Sequence, residues 1–398
     1  MSHSLFHHPY WLSAADCDFE EFCSIVERPV DISEFRFADR VERRVLLYGE
    51  KCNTGVLKGP DRLAIQAEIA RALGDGPGIV VFKHAYEPAV LDRASTLFFD
   101  LIDRQKTLDS DVGDHFGSPG SNDRLWSAVE KLAVEDAELF CDYFSNDVVA
   151  MVSAAWLGPN YQIVSEPNSV NPGSPPQVGH RDYHLGLMDI EYGSRFPAHV
   201  HRFSSALTLQ AAVAHVDMPI ETGPTRYLPN SQKFDAGFLA INLPDFRRYF
   251  EDKNTQLSLE KGDIVFFNPA VIHGAGENST TDVKRMANLL QISSGFARAA
   301  ATVDNESIVC AIYPALRKRR AAGNDVRMID NILAAAAEGY PFPTNLDRDR
   351  PIGSLFPESQ LLLVKRALDE DWDEARLVAE LAEQAWRRRS TLSKDDSR

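Results

Sequence analysis

Seven short segments rich in β-branched and aromatic residues follow one another between residues 161 and 296, and this succession limits the possible folds more than any other feature of the chain. They are Tyr161 to Glu166, Val178 to Met188, Ser204 to Val216, Thr225 to Leu228, Leu257 to Leu259, Asp263 to Phe267 and Arg285 to Phe296, separated by clusters of Pro, Gly and Asn. Such residues suit a pleated surface, and turn residues at these intervals predict strands. Helical spacing brackets the run. Pro60 to Leu73 leads into the stop signal Gly74-Asp75-Gly76-Pro77-Gly78, Ile79 to Phe82 reads as a buried strand, and Glu87 to Arg104 reads as an amphipathic helix. Gly113 to Asn122 has loop composition, and Leu125 to Leu157 is helical with a break near Ser145-Asn146. Downstream, Val326 to Glu338, Glu358 to Leu368 and Trp372 to Arg389 are predicted helices, with an ordered turn or loop at Tyr340-Pro341-Phe342-Pro343-Thr344-Asn345. The expectation is an α+β protein built on a sandwich or jelly roll, with the residues up to about Tyr48 as a wrapping arm.

Composition removes several classes of function. A formal net charge of −16 argues against a broad grip on nucleic acid or an anionic membrane surface. No stretch approaches the roughly 20 apolar residues that span a bilayer, and the first ten residues lack the basic region of a secretory signal. The five cysteines are scattered and never form a C-x-x-C pair, which fits reduced thiols in the cytoplasm.

Chemistry is concentrated in Gln177-Val178-Gly179-His180-Arg181-Asp182-Tyr183-His184. On a strand, residues two apart share a face, so His180 and Asp182 can aim an imidazole and a carboxylate at one point. A further imidazole, His273, comes about ninety residues later, directly after a predicted strand. Two histidines and one carboxylate make a facial triad that leaves positions open on octahedral iron(II). The H-x-D triplet alone is common without a metal; the surrounding pattern gives it weight.

That pattern resembles the phytanoyl-CoA dioxygenase family of iron(II)- and 2-oxoglutarate-dependent oxygenases. The resemblance runs from Gly78-Ile79-Val80-Val81-Phe82 and the helix around Leu91-Asp92-Arg93-Ala94, through Leu157 to Tyr161, Asn171-Pro172-Gly173 and the Q-x-x-H-x-D of Gln177, His180 and Asp182. It continues with Asp217 and Glu221-Thr222-Gly223-Pro224-Thr225-Arg226 to Ser231, and closes with Gly262-Asp263-Ile264, His273 to Ser279 and Arg285. It implies a double-stranded β-helix (jelly-roll, cupin-like) core with flanking N-terminal and C-terminal helices. The expected divisions are an arm over 1–60, a core over 61–299 whose β-helix begins near 158, and a helical extension over 300–398.

The same resemblance implies His180, Asp182 and His273 as ligands of Fe(II), with 2-oxoglutarate and O2 as cosubstrates. The implied reaction is hydroxylation of an unactivated C–H bond in a small or medium-sized metabolite, releasing succinate and CO2. Arg285 matches the family's arginine for the distal carboxylate of 2-oxoglutarate, and a guanidinium fork suits a carboxylate better than the ammonium of adjacent Lys284. Gln177 and Asn168 match positions that touch the cosubstrate or the metal surroundings, or that cap and support them. Ala275 departs from the family, where many relatives have a hydroxyl residue; Ser279 or Thr225 are substitutes for it.

Alternatives stay open at this level. Desaturation, epoxidation and cyclisation share the same constellation, and a non-catalytic cupin-like binding protein or a zinc hydrolase can use the same ligands. His184 is a substrate contact or a strand cap, and His199 and His201 lie in a lid or a solvated turn. Arg226 is a substrate contact or a structural ion pair, and His215 a core histidine. The partner is a small molecule. The segment from Ala300 onward covers the active-site mouth, builds a homodimer interface, or packs on the core. Because that segment is nearly neutral, the negative charge belongs mostly to the arm and core, which weakly disfavours highly anionic substrates such as coenzyme A thioesters.

Overall fold

The computed structural model describes residues 10–108 and 120–390. Of the loop expected over Gly113 to Asn122, residues up to 119 lie outside the described residues, as do residues 1–9 and 391–398. Ten strands are described: β1 (Arg40–Glu42), β2 (Val45–Tyr48), β3 (Ile79–Phe82), β4 (Asn122–Arg124), β5 (Gln162–Val170), β6 (Thr208–Ala214), β7 (Arg226–Leu228), β8 (Ile264–Phe267), β9 (Ile272–Gly274) and β10 (Arg285–Ser293). Eight form one sheet in the order β1-β2-β3-β8-β6-β10-β5-β4, antiparallel except for β2 against β3, and β7 pairs with β9 in a second sheet. Helices flank the large sheet, as the α+β expectation requires.

Strand alternation sorts the two faces. In β8, Ile264 and Phe266 face a large core shared with the helices, while Val265 and Phe267 face the second sheet; β3 does the same with Val80 and Phe82 against Ile79 and Val81. Tyr227 of β7 meets Phe267 edge to face at 5.1 Å, joining the two sheets. In β10, Met286, Leu290 and Ile292 enter the helix-covered core, so Arg285, Ala287, Leu289 and Gln291 are turned the other way, toward a cavity. The register sets their neighbours: Ala287 lies opposite Asn168, Leu289 lies between Glu166 and Ala212, and Gln291 lies opposite Gln210. One sheet face is thus structural and the other forms the wall of a site.

Several elements differ from expectation. Val178 to Met188 is not a strand: His180 makes a single bridge to His273, and the chain then turns, with Tyr183 and His184 at φ 61° and 37°. The segment read as a wrapping arm supplies β1 and β2. Val45 to Tyr48 shows no alternation because both of its faces are buried. Residues 198–206 are helical, so the strand expected from Ser204 begins only at Thr208. An additional helix, Asn305–Ala321, buries Ile308, Val309, Ile312, Tyr313 and Leu316 despite Pro314. It packs against the helices Ala128–Glu135 and Ala137–Phe144, so its apolar face is taken up within the chain.

His215 is the core histidine expected. Asn288 Nδ2 donates to Tyr143 Oη (2.9 Å), Tyr143 donates to His215 Nε2 (3.0 Å), and His215 Nδ1 donates to Ser95 Oγ (2.9 Å), which donates to the Leu91 carbonyl (2.7 Å). Every proton in this chain has an acceptor only if the imidazole is neutral. Burial pulls its pKa down to about 3, aided by the charge of Lys261 and opposed by Asp92. The unfolded histidine takes up a proton near pH 6.5 and the folded one does not, so stability falls as pH drops below 6.5. The expected loss from this group at pH 5 is about 2 kcal/mol. Urea unfolding at pH 7 and pH 5 checks it: His215→Gln is less stable than wild type at pH 7 and has a smaller pH dependence, and an unaltered dependence excludes the effect.

Candidate active site

His180 and His273 face each other across a backbone bridge in which each amide donates to the other's carbonyl at 2.9 Å. Each imidazole is fixed in the same way. His180 Nδ1 donates to the Val178 carbonyl and His273 Nδ1 to the Val271 carbonyl, both at 2.9 Å. With Nδ1 protonated, each neutral ring presents the lone pair of Nε2. Asp182 Oδ1 lies 3.7 Å from His180 Nε2, and Asp182 Oδ2 lies 3.4 Å from His273 Nε2. All three donor atoms fall within 4.8 Å of one another. Lone pairs of two imidazoles and a carboxylate aimed at one point repel unless a cation lies between them, so the donor set suits a divalent transition metal.

The carboxylate is oriented as well as placed. The Gln210 amide on β6 donates to Asp182 Oδ2, and the Asp182 amide donates to the Pro269 carbonyl at 3.2 Å. Burial pushes the Asp182 carboxyl up, but positive charge placed between it and the two imidazoles, whether protons on the His273 and His180 Nε2 atoms or a metal ion, together with the Gln210 amide holds it below the ordinary carboxylate range. The loop is anchored from beneath by Arg181, which is 1% exposed and donates to the carbonyls of Ser231 and Phe234 while its guanidinium lies 4.9 Å from the Phe238 ring. A side chain at Gly237 would occupy the place of that guanidinium. Gln210 and Arg181 were not singled out from the sequence, since neither has a motif spacing of its own.

Arg285 opens β10 and is 5% exposed, whereas Lys284 is exposed. Burial pulls the Arg285 pKa down to about 10, with the Tyr227 hydroxyl opposing, so it stays charged at neutral pH. Its Nε has no hydrogen-bond partner, and among the described residues no carboxylate forms an ion pair with it. A buried cation without an anion is costly and marks a place for a ligand carboxylate. Arg285, the three converging residues, Gln177 and Asn168 all line one cavity of about 360 Å³.

The remaining candidates separate. Gln177 Oε1 accepts from the Ala275 amide at 3.0 Å and so holds the backbone just after His273. Asn168 Oδ1 accepts from Asn122 Nδ2 at 2.9 Å. Thr225 lines the cavity near Ala275, while the Ser279 hydroxyl donates to the Glu221 carbonyl and lies elsewhere. Arg226 is structural: it pairs with Glu251, donates to the Gln177 carbonyl and lies over the Phe250 ring. His184 lines the cavity with Nδ1 2.9 Å from Ser204 Oγ. His201 is buried against the Gly193 carbonyl, and His199 is exposed. Arg124 and Glu166, absent from the sequence reading, pair at 3.3 Å on the cavity wall. A second group, His84, Glu260 and Asp263, is also compact, but Lys83 pairs with both of its carboxylates and already supplies the cation.

Two imidazoles and a carboxylate converging in one pocket against the face of a large sheet are the ligand set of the non-haem iron oxygenase class. The family described as phytanoyl-CoA dioxygenase (PhyH) matches residues 75–287, and the chain belongs to that family. Fe(II), 2-oxoglutarate and O2 are the cofactor and cosubstrates that go with it. Among curated proteins, the multifunctional dioxygenase prhA of Penicillium brasilianum is 32% identical over 123 residues, which is 31% of this chain and 38% of that protein. The dioxygenase trt7 of Aspergillus terreus is 24% identical over 219 residues, covering 52% of this chain and 67% of that protein. The chain therefore spans little more than a third of the length of the first of these relatives. Among solved structures, the non-haem α-ketoglutarate-dependent epimerase SnoN from nogalamycin biosynthesis is 19% identical with a TM-score of 0.38, over 57% of this chain and 81% of that one. The carbocyclase SnoK from the same biosynthesis is 16% identical with a TM-score of 0.41, over 57% and 83%.

Proposed function

We propose that the protein is a cytoplasmic Fe(II)- and 2-oxoglutarate-dependent dioxygenase that hydroxylates an unactivated C–H bond of a small or medium-sized metabolite, releasing succinate and CO2. The observation that carries this reading is the buried, unpaired Arg285 guanidinium in the same cavity as His180, Asp182 and His273. A divalent ion, one carboxylate and a dianionic cosubstrate leave one negative charge uncompensated, and Arg285 cancels it. A non-catalytic metal-binding cupin or a zinc hydrolase leaves that guanidinium without an anion.

In this reading His180 and His273 bind the metal through Nε2 while their Nδ1 protons stay on backbone carbonyls, which prevents ring rotation. Asp182 is the charged ligand, held by Gln210. Arg285 orients the cosubstrate by its distal carboxylate. Gln177 fixes the chain after His273, and Asn168 presents its amide to the cavity beside Ala287. Phe267, Ala287 and Leu289 supply apolar wall that limits water around the reacting groups. When bound, the metal and 2-oxoglutarate supply the oxidising power that no side chain has.

Among the described residues no helix is long and apolar enough to cross a membrane. The protein is expected to form succinate from 2-oxoglutarate after anaerobic loading with Fe(II) and exposure to oxygen, and none when Fe(II) or oxygen is withheld. Succinate formation independent of both would remove the reading.

A further inference from the structure

A second cavity, of about 760 Å³, adjoins the one that holds the candidate metal site, and Arg298, Ala299 and Ala300 line both. The partition is the segment after β10, where Gly295, Ala297, Ala299, Ala300 and Ala301 have almost no side chain to fill the space between the two. The far side of the outer cleft comes from the C-terminal part of the chain, beyond the family match, through Glu338, Tyr340, Phe342 and Pro343.

The chemistry of this cleft is specific. Phe296 is 75% exposed, and its ring meets Tyr340 edge to face at 5.3 Å; Tyr340 in turn lies 5.8 Å from Phe342, which is 40% exposed. Three aromatic rings in contact on an open wall leave ring faces to solvent, a costly arrangement in a monomer unless something apolar lies on them. Tyr340 is held in place: a side chain at Gly295 would come within 2.9 Å of Tyr340 Cβ, so glycine there permits the close approach. The Glu338 carboxylate is already used, accepting from Gln162 Nε2 and from the Tyr340 amide. Arg298, by contrast, is exposed and makes no ion pair or hydrogen bond among the described residues, and it is the one cation described on the cleft wall.

We infer that the outer cleft is a substrate subsite that takes the body of an extended, ring-bearing, largely apolar metabolite with a single acidic or hydrogen-bond-accepting group at Arg298, while the carbon to be oxidised enters the inner cavity. This deepens the proposed function and rests on it. The volumes agree. The inner cavity lies at the small end for a ligand pocket and must also admit the cosubstrate, whereas the outer cleft has the size of a typical small-molecule site. The single cation excludes a polyphosphate carrier such as coenzyme A, which needs several.

The test uses the full chain loaded anaerobically with Fe(II) and 2-oxoglutarate, and two fluorescent probes: anilinonaphthalene sulfonate and its neutral analogue N-phenylnaphthylamine. Wild type should bind both saturably at one site. Phe296→Ala and Tyr340→Ala should each weaken both by about fivefold, the scale of one lost aromatic contact. Arg298→Ala should weaken only the sulfonate. Leu355→Ala, at a residue 97% exposed and outside the cleft lining, should change neither. Unchanged affinity in both aromatic variants, equal weakening by Leu355→Ala, or displacement of the probes by coenzyme A would overturn the subsite. Succinate formation followed in parallel separates the two claims. Probe binding sensitive to Phe296 in a protein that makes no succinate rejects the oxygenase reading and keeps the cleft, and the reverse pattern rejects the cleft alone.

Discussion

Asp182→Ala lowers oxygen-dependent succinate formation by about a thousandfold or more, which corresponds to roughly 4 kcal/mol of lost stabilisation. Asp182 is the only anion among the three converging side chains. Without it, two neutral imidazoles must hold a divalent ion with no charge compensation. Gln210→Leu, which removes the amide that orients the carboxylate but keeps the carboxylate, should cost only about tenfold to a hundredfold in Fe(II) affinity. Melting curves distinguish loss of the ligand from loss of the fold. Asp182→Ala should keep a cooperative metal-free melting transition, because the carboxylate belongs to the donor set and not to the packed core, and should lose the rise that Fe(II) brings. Wild-type turnover in Asp182→Ala, or a lower metal-free melting temperature with the metal-induced rise intact, would remove Asp182 from the site.

Much of this site is legible in one dimension because its chemistry is carried by short spacings. His180 and Asp182 lie two apart, His273 follows an apolar strand closely, and Arg285 opens the next strand. The local conformation was less legible. Val178 to Met188 has histidines and an aspartate on alternate positions among Val, Tyr and Leu, which imitates a half-buried strand. What holds that segment is non-local: the bridge to His273, the Arg181 guanidinium among carbonyls some fifty residues away, and two successive residues at positive φ. Gln210 has meaning only when β6 lies beside Asp182, and Arg124 meets Glu166 only because β4 pairs with β5. β2 escaped notice for the opposite reason. A strand covered on both faces has no alternation to read; β3 has the same character but follows the Gly-Pro stop signal of residues 74–78, whereas no such signal precedes Val45 to Tyr48.

Arg285 gives the sharpest separation between function and stability. Its guanidinium is buried beneath the cavity without an anion, so in the ligand-free protein it is a cost to the fold. Arg285→Met keeps an unbranched apolar stem and removes the charge. The ligand-free variant should therefore be as stable as wild type or more so, by about 1 to 2 kcal/mol in urea unfolding. The same change should raise the KM for 2-oxoglutarate by about a hundredfold or more, since two charge-assisted hydrogen bonds to one carboxylate are lost together. Arg285→Lys restores the charge but not the fork, and should recover part of the loss. Saturating 2-oxoglutarate at about a hundred times its Kd should stabilise metal-loaded wild type by about 2.7 kcal/mol and Arg285→Met by no more than about 0.4 kcal/mol at that concentration. A structural arginine predicts the opposite pattern: a destabilised ligand-free variant and an unaltered KM. The two accounts differ in the sign of the stability change, so one pair of unfolding curves together with one KM decides whether Arg285 belongs to the cosubstrate or to the fold.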